Sequence, residues 1–134
     1  MALIGGGGAG NVAGGANPGG IGSSIHYIGD HAYAQSGSIQ NAGTGGPDTL
    51  LLKFNTGNSY IVGKMDFGTT NAAGHDTYLN LIYDGQTIME IKDSNAGIVP
   101  MRFDIFIPPQ TEVEVKWGSN STYNGNVMIS ARVY

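Results

Sequence analysis

Past residue 22 the chain alternates apolar and polar side chains in short runs, and clusters of Gly, Asn and Pro separate the runs. Period-two alternation sends every second side chain to the same face, which is the pattern of a half-buried strand. Ile25 to Ile39 carries one or two strands with a break at Gly29-Asp30. Leu50, Leu52 and Phe54 share a face, and after a turn at Gly57-Asn58 the next strand runs from Tyr60 to Phe67. Tyr78 alternates with Leu79, Leu81 and Tyr83. Asp84-Gly85 follows as the strongest hairpin signal in the chain, because both residues tolerate the positive φ of a tight turn. Gln86 to Lys92 returns antiparallel.

Met101, Phe103, Ile105 and Ile107 make another apolar face, with Arg102 and Asp104 opposite, and Pro108-Pro109 stops that strand because proline cannot donate to a ladder. Val113, Val115 and Trp117 point inward while Glu112, Glu114 and Lys116 point outward. Val127, Ile129, Ala131 and Val133 form a last strand. Residues 41–48 (NAGTGGPD), Gly68 to Asp76, Asp93 to Gly97 and Gly118 to Gly125 read as loops by their turn residues. The sum is about eight strands with no helical periodicity, which predicts an all-β, antiparallel, jelly-roll-like β-sandwich. The pattern leaves the strand order open.

Met1 to Gly22 (MALIGGGGAGNVAGGANPGGIG) breaks the alternation and is close to half glycine. It offers too little apolar side chain to offset its backbone entropy, so residues 1–22 read as a flexible arm and residues 23–134 as the single β domain. Charged residues are 12% of the chain, about half of the usual ~25%. Such a surface is cheaper to desolvate against other subunits than an ionic one. The net charge of −4 and six scattered basic residues argue against nucleic acid. No apolar run approaches the ~18 residues of a membrane span, and the start lacks a signal-peptide pattern. There is no cysteine, which fits a reducing cytoplasm.

Candidate chemistry is sparse. Gly5, Gly7 and Gly10 have dinucleotide-fingerprint spacing but no strand before them or helix after them. His26 and His31 flank Asp30, too few donors for a metal. His75-Asp76 has no nucleophile to serve. Glu112 and Glu114 share a strand face, and Asp93-Ser94-Asn95 lacks the rest of a calcium loop. Asn120-Ser121-Thr122 is a glycosylation sequon that matters only in a secretory pathway. No enzyme, cofactor or metal is expected. The residues expected to touch partners are Asn11 and Asn17 in the arm, His26, His31, Tyr33 and Tyr134, and the loop aromatics Trp117 and Tyr123, since Tyr and Trp combine an apolar ring with a polar tip.

Three stretches carry a resemblance: Ile28 to Gly37 (IGDHAYAQSG), Leu51 to Val62 (LLKFNTGNSYIV), and Ile107 to Val113 (IPPQTEV) together with Ser130 to Tyr134 (SARVY). In this order they resemble the head decoration, or cement, proteins of marine tailed bacteriophages. The likeness runs from Ile28 to Tyr134 and leaves the arm out. It implies a jelly-roll-like domain, made in the host cytoplasm, that sits as a homotrimer on the virion exterior. There it would reinforce contacts between major capsid subunits. No catalytic or binding residue comes with it. The alternative is a carbohydrate-binding module or receptor-binding fibre head on the same sandwich.

Overall fold

The computed structural model describes residues 25–70, 74–96 and 101–134. The glycine-rich arm, with Asn11 and Asn17, lies outside them. Ten strands run through the described residues: β1 (His26–Ile28), β2 (His31–Gln35), β3 (Ile39–Gln40), β4 (Thr49–Asn55), β5 (Ile61–Thr69), β6 (His75–Tyr83), β7 (Gln86–Ala96), β8 (Met101–Ile107), β9 (Glu112–Ser119) and β10 (Asn124–Val133). No described residue is helical.

The strands form two antiparallel sheets packed as a sandwich. The four-stranded sheet has the order β4-β9-β6-β7. The six-stranded sheet has the order β1-β2-β10-β5-β8, with β3 paired to the start of β10. The pairings nest around one turn. Outward from Asp84-Gly85, β6 pairs with β7, β5 with β8, β4 with β9 and β2 with β10. The chain is thus one long two-stranded ribbon, folded so that successive segments lie in alternate sheets. The pairings β10·β5 and β9·β6 then close the segments side by side. This is the jelly-roll order.

Local chemistry explains the central turn. Asp84 (φ 49) and Gly85 (φ 80) both take the left-handed conformation that a two-residue hairpin with the right twist requires. The Asp84 carboxylate also accepts the Glu112 N–H at 2.8 Å, which ties the turn to the start of β9. Where the two sheets meet beside β8, the Tyr83 hydroxyl donates to the Phe106 carbonyl at 2.9 Å.

The inner faces supply the core. Trp117, Phe54, Phe67, Met65, Leu79 and Ile129 are buried there, and the Trp117 and Phe67 rings lie 5.8 Å apart. In β4, Val115 pairs with Leu52 but Lys116 pairs with Leu50, so Leu51 is an extra residue at a bulge. Leu51 and Leu52 are both buried and Leu50 is only half-buried, so Leu51 takes the inward place that simple alternation assigns to Leu50.

Several strands outrun their expected ends. β5 continues through Gly68 to Thr69, β6 begins at His75, β9 ends at Ser119, and β7 runs on to Ala96 although Asp93 to Gly97 reads as a turn. The reason is a partner within reach: Thr77 pairs with Asp93 and Asp76 with Ser94. Backbone pairing outweighs the poor strand propensity of Asp, Ser and Gly.

Candidate functional site

The outer face of the six-stranded sheet is built in rows. Ile28, His31, Arg132, Val62 and Phe106 lie abreast across β1, β2, β10, β5 and β8. His26, Tyr33, Ser130, Lys64 and Asp104 form the next row, followed by Gln35, Met128, Asp66 and Arg102. All point away from the core because their strand neighbours, such as Ala32, Ala34, Ile61, Met65, Ile105 and Ile129, point into it.

At one end of this face Tyr60, Val62, Phe106 and Tyr134 surround a shallow basin of about 440 Å³. The Tyr60 and Phe106 rings are 5.4 Å apart. Tyr60 and Tyr134 exchange backbone hydrogen bonds at 3.2 and 2.8 Å, which fixes both tyrosines to the sheet. The Arg132 guanidinium lies 5.9 Å from the Tyr134 ring. Of the eight large apolar side chains exposed among the described residues, seven (Ile28, Tyr33, Tyr60, Val62, Phe106, Met128 and Tyr134) belong to this face, and only Ile88 lies on the other sheet. Four of the seven, Tyr60, Val62, Phe106 and Tyr134, adjoin one another around the basin, while Ile28, Tyr33 and Met128 stand among polar and charged neighbours.

The charges on the face are paired within it. Lys64 donates to Asp104 at 2.6 Å and Arg102 to Asp66 at 2.6 Å. Arg132 bonds the Asp30 carboxylate, which also lies 3.1 Å from His31 Nδ1. The hydrogen bond and charge of Arg132 hold the Asp30 carboxyl below its usual range, and Lys64 does the same to Asp104. The Asp66 hydrogen bond and charge raise Arg102 further.

The two sheets divide the charge unequally. The six-stranded sheet and its β1–β2 turn hold Lys64, Arg102 and Arg132 against Asp30, Asp66 and Asp104, three of each sign. The four-stranded sheet and its loops hold Lys53, Lys92 and Lys116 against Asp48, Asp76, Asp84, Glu90, Asp93, Glu112 and Glu114. Three cations against seven anions account for the whole net charge of −4. The Glu112 and Glu114 pair sits on that acidic side, with Lys53 Nζ 3.7 and 3.4 Å from the two carboxylates.

His26, His31, Tyr33 and Tyr134 come together on the outer face of the six-stranded sheet. Odd spacing along one strand would separate the two histidines, but the turn at Gly29 (φ 59) restores them to one side. Among the described residues no three His, Asp or Glu side chains converge as a metal site would need. Tyr123 lies at the other end of β10, half-buried, with its ring 5.5 Å from that of His75.

Trp117 must be corrected as a contact residue: it is fully buried at 0% exposure. The alternation through Val113 and Val115 carries its ring into the core, so it cannot stack on a sugar or a neighbouring subunit. Val62, Phe106 and Ile28 escaped sequence reasoning. Their signal is an apolar residue in the outward phase: Phe106 follows Arg102 and Asp104, and Val62 precedes Lys64 and Asp66. Compared with protein-family models and with curated proteins, the chain matches none.

Proposed function

We propose that the chain is a structural subunit of a phage particle, which binds the capsid exterior as a homotrimer and reinforces contacts between major capsid subunits. One observation carries the reading: in a chain poor in charge, the exposed aromatic and aliphatic side chains gather on one ordered sheet face around Tyr60, Val62, Phe106 and Tyr134. A strand-built, internally paired surface is rigid before it meets a partner, so little conformational entropy is lost on docking. A shell reinforcement repeats one such contact many times, which suits symmetric association. The alternative of a sugar-binding or receptor-binding head loses one of its two loop aromatics, since Trp117 is enclosed in the core.

Electron cryomicroscopy of the purified particle tests the proposal. The expected result is this sandwich on the outer shell at a copy number compatible with threefold placement. Absence from the particle, or a copy number that fits no such placement, overturns it. Removing residues 1–22 tests the arm: the expected outcome is a folded β domain with weaker capsid attachment.

A further inference from the structure

We propose that copies of this chain meet one another through the outer face of the six-stranded sheet and leave the acidic four-stranded sheet turned away. The inference rests on the subunit reading above and names the partner of that face: a second copy of the same chain.

Charge decides between the two faces. Bringing two four-stranded sheets together would oppose like charges, since that half carries the entire net charge of −4. The six-stranded half has no net charge, and its three ion pairs, Lys64–Asp104, Arg102–Asp66 and Arg132–Asp30, are already made within one chain. Turned toward the axis of the proposed homotrimer, it can meet its neighbouring copies without net like-charge repulsion, and the ions it would desolvate already have partners.

The area is sufficient. Five strands abreast at ~4.8 Å span about 24 Å, and seven residues along a strand span about as far. The footprint is on the order of 600 Å² before side-chain relief is counted, close to the ~800 Å² that each partner contributes to a standard interface. Tyr60, Val62, Phe106 and Tyr134 supply the aromatic centre that such interfaces use, and Arg132 and Lys64 border it.

Sedimentation velocity on the full chain provides the test. The wild type is expected to associate reversibly. Val62→Asp with Phe106→Asp is expected to weaken association by at least about a hundredfold, because each introduced carboxylate would be buried without a partner. Ile88→Asp, on the acidic sheet, is expected to associate like the wild type. A monomeric wild type, a double variant that still associates, or an Ile88→Asp chain that dissociates overturns the inference. Far-UV circular dichroism checks that the double variant folds. If it does not fold, hydrogen exchange of the wild type at rising concentration decides the matter. Protection growing in β5, β8 and β10 supports this face, and protection growing in β7 instead overturns it. A chain that associates by this face yet is missing from the particle would remove the virion reading alone. A chain on the particle that does not associate by this face would remove the inference alone.

Discussion

Gly125 of β10 lies against the indole of Trp117 so closely that a Cβ on the glycine would stand 2.6 Å from the ring atom Cε2. Trp117 is the largest side chain of the core and is fully buried, so any retreat of its ring must be made within the core. Gly125→Ala should destabilise the fold by about 1–3 kcal/mol through overpacking. Urea denaturation followed by Trp117 fluorescence measures this directly. An unchanged midpoint would mean that the ring shifts freely.

A second prediction concerns Asn41, a buried amide that binds two loops together. Its Nδ2 donates to the Ser121 carbonyl at 2.8 Å, and its Oδ1 accepts the Tyr123 N–H at 2.7 Å. Asn41→Ala leaves those backbone groups without their partner, at a cost of about 1–3 kcal/mol. Hydrogen exchange should accelerate at Tyr123 and in the segment 41–48 before it does so in the central strands.

Burial pushes the Tyr83 phenol up to about 12 from its ordinary 10.0. Desolvation raises Tyr27 as well, against an opposing hydrogen bond with the Gly57 backbone. The folded state therefore holds these protons more tightly than the unfolded chain does. For Tyr83 that contribution to stability is complete below pH about 10 and is lost as the pH rises through about 12. Absorbance at an ultraviolet wavelength specific to phenolate should show a late titration step that Tyr83→Phe removes. Because the hydroxyl also holds the Phe106 carbonyl, the same variant should loosen β8.

Salt separates an apolar contact from an ionic one. With the ion pairs of the six-stranded sheet closed within each chain, raising ionic strength from about 0.05 to 0.5 M should leave self-association unchanged or stronger. Sedimentation at the two salt levels is the check. Association that falls steeply with salt would place charge pairs, rather than Tyr60 and Phe106, at the centre of the contact.

Much of the fold was legible because it is written locally. The phase of Val113, Val115 and Trp117, the turn at Asp84-Gly85 and the stop at Pro108-Pro109 each depend on a few adjacent residues. Strand order was not legible, since β2 and β10 are joined by pairings such as Ala34 with Ile129, far apart in sequence and without a spacing rule. Strand ends at Gly68 and Asp93 were missed for a related reason: a paired neighbour keeps extended what local propensity would release. The candidate face was half legible. His26, His31, Tyr33 and Tyr134 could be named as polar or amphipathic residues, but their convergence required the turn at Gly29 and the central placement of β10.

That central placement reaches beyond the finished molecule. β10 lies in the middle of its sheet, between β2 and β5, yet it is the last described strand in chain order. During translation β1 can pair with β2 and β5 with β8 as they emerge from the ribosome, but nothing joins these two halves of the sheet. The edges of β2 and β5 that will flank β10 wait, open to chaperones and to other nascent chains, until residues 124–133 arrive.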